Sequence, residues 1–168
     1  TQNVLHTITI DDYVAQHQVN PVSLLMIDVE GSEIKVLEGA TAMLKKDHPV
    51  VVFETHSLYN DWSKGLENSD SVKLMTNLGY EVFAIREFHQ NIDTGTMPVE
   101  LLPLNRTYCE IPPHHGFNLL AVPSTDLIEN DLLYQFIKEG KFAIASSESN
   151  LAHRLQAENE KSDEYDEA

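Results

Sequence analysis

The chain has 168 residues, 42% of them hydrophobic, which suffices for one domain with a substantial core. Only 11 Lys and Arg stand against 27 Asp and Glu, and the net charge of −16 excludes a nucleic-acid surface, which needs clustered cations to meet phosphates. No apolar run approaches a membrane span and no signal peptide is visible. The lone Cys109 excludes an internal disulfide or a cysteine metal cluster.

Residues 4–10 alternate loosely and carry β-branched side chains, so they read as a strand, and Asp11-Asp12 opens a short helix through His17. Asn20-Pro21 marks a turn. Leu24, Leu25, Met26 and Ile27 are apolar without alternation, which predicts a strand over 24–29 covered on both faces. It stops at Asp28, Glu30 and Gly31. From Ser32 a helical pattern follows over 32–46, with Ile34, Leu37, Ala40 and Leu44 on one face and Lys45 and Lys46 in the last turn. Pro49 prevents continuation, and residues 50–54 form another apolar strand ending at Glu54, two residues before His56.

A loop with Tyr59, Asp61 and Trp62 leads into a helix over 69–78, closed by Gly79, and a strand over 80–85. Residues 86–116 are irregular and carry Pro98, Pro103, Pro112 and Pro113; so long a connection usually has a function or lacks order. A strand over 117–122 and a helix over 127–137 complete the pattern. Residues 1–150 read as one folded unit. In 151–168 the acidic residues Glu158, Glu160, Asp163, Glu164, Asp166 and Glu167 predict a disordered, solvated tail. Strands alternating with helices predict an α/β fold with a mostly parallel sheet.

Two carboxylates, Asp28 and Glu30, thus fall where a parallel strand gives way to a helix, the edge at which open α/β sheets bind ligands. Asp28 or Glu30 could instead cap the helix, a task Ser32 can share. Gly31 suits the backbone of a tight turn. Consecutive βαβ strands are commonly neighbours, so Glu54 and His56 should stand beside Asp28. His56 is a candidate general base and Glu54 a partner for the ring or the substrate. Asp28, Glu30, Glu54 and His56 could also meet around Mg²⁺ or Mn²⁺, but they lack the helical spacing of a specific metal motif, and a metal is not favoured. His114 could line a substrate pocket, although the neighbouring His115 would then point away.

The segment IDVEGSEIKVLEGA, residues 27–40, resembles the signature of FkbM-type methyltransferases, (K)IDVEGxExxVLxGA, at Ile27, Asp28, Val29, Glu30, Gly31, Glu33, Val36, Leu37, Gly39 and Ala40. TITIDDYV at 7–14 resembles the family's TLDDL segment, and HPVVVFETH at 48–56 resembles its next strand. The resemblance fades after about residue 85. It implies a Rossmann-like class I methyltransferase sheet with a terminal antiparallel hairpin, formed here by 80–85 and 117–122. It also implies S-adenosylmethionine (SAM) as cofactor, with Asp28, Glu30 and Gly31 at its pocket. O-methylation would proceed with Asp28, His56 and Glu54 as catalytic residues. The acceptor, a small molecule, sugar or glycan, would meet Glu54 and His114.

Family members carry a glycine-rich turn after their first strand, yet none of the seven glycines here forms such a cluster. With Thr1 in place of Met, this points to the carboxyl-terminal half of a methyltransferase domain from a cropped or processed chain. Such a half would be inactive alone and completed by an upstream half-domain or an oligomer partner. A signal or anchor could lie upstream; the single cysteine is compatible with the cytoplasm. The family's Lys two residues before the strand-end Asp is Met26 here, so Asp28 lacks that charge partner. The competing expectation is a non-catalytic methyltransferase-like module that binds proteins through residues 86–116.

Overall fold

The computed structural model describes residues 6–19, 21–86, 97–104, 116–124 and 132–144. They build a six-stranded sheet from β1 (Leu24–Ile27), β2 (Val50–Thr55), β3 (Tyr80–Ile85), β4 (Val99–Pro103), β5 (Phe117–Pro123) and β6 (Phe142–Ile144), in the order β1-β2-β5-β3-β4-β6. The helices are α1 (Ile10–His17), α2 (Glu33–Glu38), α3 (Thr41–Asp47), α4 (Asp70–Asn77) and α5 (Leu132–Lys138).

The α/β class is as expected, but a mostly parallel sheet is not what forms. Only β1–β2 and β4–β6 pair in parallel; β5 runs antiparallel to both β2 and β3, and β3 runs antiparallel to β4. The expected pair of 80–85 with 117–122 does form antiparallel, yet it is internal, because β4 and β6 extend the sheet beyond it. Both added strands are short, and β4 lies in the proline-rich stretch read as irregular.

Alternation along each strand gives the sheet two apolar faces. Val51, Phe53, Val82, Ala84, Leu119 and Ala121 pack with Leu37, Leu44 and Met75 of α2–α4 in the larger core. Phe83, Leu101, Leu120 and Val122 face the other way, against Ile137 of α5 and Phe142 of β6. That second layer does not reach β1. Leu24 and Met26 are 60% and 64% exposed, whereas Ile27 is buried against the helices. The expectation of a strand covered on both faces therefore fails, and β1 is an edge strand with one bare apolar face among the described residues.

Two further corrections concern helices. The strand expected over 4–10 does not form at residues 6–9: Thr9 instead caps α1, its hydroxyl accepting the Asp12 N–H at 3.0 Å. The helix expected over 32–46 is split at Gly39 and Ala40. Asp11 causes the second start, its carboxylate accepting the N–H groups of Ala42 and Met43 at 2.9 and 2.8 Å. The Asp11 amide donates to the Gly39 carbonyl at 2.9 Å, and Thr41 donates back to the Glu38 carbonyl at 2.9 Å. Gly39 permits this approach, since a Cβ there would stand 3.3 Å from the Thr9 Cβ.

Candidate functional site

β1 and β2 lie in register Leu24↔Val50 through Ile27↔Phe53, so the next residues along each chain are Asp28 and Glu54. Beyond Asp28 the backbone turns sharply, with positive φ at Glu30 (51°) and at Gly31 (94°). That turn brings a third carboxylate back: one oxygen each from Asp28, Glu30 and Glu54 lies within 4.8 Å of the others. Asp28 and Glu30 are exposed and Glu54 is half-buried. Two like charges about 5 Å apart in water repel by roughly 1 kcal/mol, which a fold can carry without a counter-ion. The same oxygens are hard donors suited to Mg²⁺ or Mn²⁺.

The surroundings fix this group. A Cβ at Gly116 would fall 2.4 Å from the Glu54 carboxylate and 2.6 Å from the Thr55 carbonyl, so the start of β5 rests directly on Glu54. Buried Asn118 is the cross-strand neighbour of Glu54. On the other side the Tyr59 ring lies over Gly31, where a Cβ would meet it at 2.6 Å. The capping role weighed for Ser32 is not taken up: its side chain makes no cap bond. Glu33 does the local bonding, accepting the Gly31 N–H at 3.0 Å from a buried position. Sequence reasoning passed over Glu33 because an acid in a first helical turn ordinarily faces water. Its place in the signature motif was the available signal.

His56 stands two residues beyond Glu54 but outside the group of three carboxylates. Its Nδ1 accepts the Leu58 N–H at 3.0 Å, its ring packs against Tyr59 with centroids 5.6 Å apart, and its carbonyl accepts from Tyr59 and Asn60. With Nδ1 accepting, the neutral ring carries its proton on Nε2. Further along this loop, hydrogen bonds from Ser63 hold the Asp61 carboxyl below its ordinary range, with a smaller push from Lys64. His114 and the acidic tail lie outside the described residues. A cleft of about 380 Å³ between α1 and α3, lined by Val14, Val19, Met43 and Lys46 among others, contains none of these groups.

Acidic residues thus stand at the carboxyl ends of two parallel strands, the edge at which open α/β sheets bind ligands. Residues 3–82 match the model of the methyltransferase FkbM domain. The match ends within β3, near residue 85 where the sequence resemblance fades, and contains Asp28, Glu30, Glu54 and His56. Methyltransferases as a class use SAM, so the family implies that donor in general. Neither the curated proteins nor the solved structures compared with the chain give a match. No helix among the described residues is long and apolar enough to cross a membrane.

Proposed function

We propose that this chain forms the acceptor side of an FkbM-type, SAM-dependent O-methyltransferase, as the carboxyl-terminal half of the domain. The observation that carries this reading is the convergence of Asp28, Glu30 and Glu54 inside the family-matched segment. Their charge suits one end of the donor, where a cationic sulfonium and an amino group sit. No glycine-rich turn is present to admit its nucleoside, and that task falls to an upstream half. The bare face of β1, with Leu24 and Met26 exposed, supports such a missing neighbour.

When bound, SAM supplies an electrophilic methyl group. Asp28 and Glu30 keep the local potential negative, and Gly31 lets the turn pass closely beneath Tyr59. Glu54 binds the acceptor hydroxyl and takes its proton as the oxygen attacks, so that positioning and proton removal come from one side chain. His56 would have to give up its bond from Leu58 and move its proton to Nδ1 before Nε2 could serve as a base. It is therefore assigned to the wall of the acceptor site, as an Nε2–H donor, rather than to proton removal.

The test is transfer of labelled methyl from SAM to a panel of sugars and small polyols by the protein carrying the complete domain. Transfer that Glu54→Gln lowers by about 10²-fold or more supports the reading. A folded protein without transfer, and without a glycine-rich turn upstream of this segment, would instead make this a protein-binding module.

A further inference from the structure

A carboxylate is seldom buried unless something binds it, and Glu33 is only 4% exposed. Its Oε1 accepts the Gly31 N–H at 3.0 Å, two residues back along the chain. This bond closes on the turn in which Glu30 holds a left-handed backbone, a conformation that its Cβ disfavours. The Tyr59 ring presses on the same turn at Gly31. Ser32, in the cap position, adds no side-chain bond to the helix. The turn that returns Glu30 to Asp28 and Glu54 is thus tied down by Glu33 from within and by Tyr59 from outside. Partly shielded from water, such a bond is stronger than on the open surface.

We propose that Glu33 is a positioning residue for the acceptor site, pinning the Glu30–Gly31 turn so that the Glu30 carboxylate stays beside Asp28 and Glu54. The inference rests on the reading of that group as the acceptor site. Glu33→Met keeps the volume and removes the acceptor oxygen; Glu33→Gln keeps an oxygen of the same reach.

Two readouts test it. In the protein carrying the complete domain, amide hydrogen exchange at Gly31 should accelerate about ten-fold or more in Glu33→Met, the scale of one lost hydrogen bond, and stay near wild type in Glu33→Gln. In the same protein, Glu33→Met should lower kcat by about 10²-fold, as a misplaced positioning group does. Glu33→Gln should restore most of that loss. Unchanged Gly31 exchange, or faster exchange with undiminished kcat, overturns the proposal. Should Glu33→Met fail to fold, the wild-type protein carrying the complete domain decides: scalar coupling between the Gly31 nitrogen and the Glu33 carboxyl carbon supports the bond, and its absence overturns it. A wild-type protein with no methyl transfer would count against the proposed function instead, and the exchange measurement separates the two failures.

Discussion

The carboxylates of Asp28 and Glu54 stand within 4.8 Å of each other although 26 positions separate them, because β1 and β2 are parallel neighbours with Ile27 opposite Phe53. A shift of one residue in that register would send one of the two to the helix side of the sheet, since side chains alternate across a strand. The pair is therefore a product of the hydrophobic pattern that fixes the register. Leu25 and Ile27 on β1, with Val51 and Phe53 on β2, turn toward the core and leave Asp28 and Glu54 at the rim.

If that pair forms the acceptor site, Glu54→Gln in the complete enzyme should lower turnover by about 10²–10⁴-fold, the usual contribution of a proton acceptor. Asp28→Ala should also impair turnover strongly. Both variants should retain wild-type circular dichroism and melting, because neither side chain belongs to the core. Steady-state kinetics beside thermal melts check both statements.

His56→Ala should behave differently. With Nδ1 engaged by the Leu58 amide, the ring does not offer a free lone pair at Nε2, so turnover should fall by less than about ten-fold, with the loss appearing mainly in the KM of the acceptor. A loss of about 10² or more, rescued at high pH, would return the general-base role to this histidine.

The hold of α1 on α3 can be tested by stability alone. Asp11→Ala removes the acceptor for the Ala42 and Met43 amides and should cost about 1–2 kcal/mol, seen as a melting temperature lower by a few degrees. Asp12→Ala, at an exposed position of the same turn, should stay within about 0.5 kcal/mol of wild type.

Much of this architecture is legible in the sequence. The strands at 50–55, 80–85 and 117–123 follow from apolar runs bounded by Pro49, Gly79 and Gly116, and Asp28 and Glu54 follow from their place at strand ends. The break between α2 and α3 is not legible, because Leu37, Ala40 and Leu44 keep helical spacing straight through it. The cap that creates the break comes from Asp11, 31 residues away from Ala42. The same limit hides β6, a three-residue strand that exists only because β4 lies beside it. Glu33 was hidden by its chemistry: nothing local tells a buried acid from a solvated one until Gly31 folds back onto it.

The edge of β1 makes a prediction about the chain by itself. Exposed Leu24 and Met26 on a strand that is the sheet edge among the described residues favour self-association, so the isolated chain should elute as mixed oligomers or melt at low temperature. Met26→Lys should shift it toward monomer. A monodisperse wild-type monomer with a sharp, high melting transition would contradict a missing neighbour at this edge.

The most direct test is calorimetric titration with SAM of the 168-residue chain and of the protein carrying the complete domain. The half-domain reading predicts no measurable binding by the chain alone, which lacks the glycine-rich turn, and micromolar binding by the complete domain. Micromolar binding by the chain alone, or none by the complete domain, would contradict it.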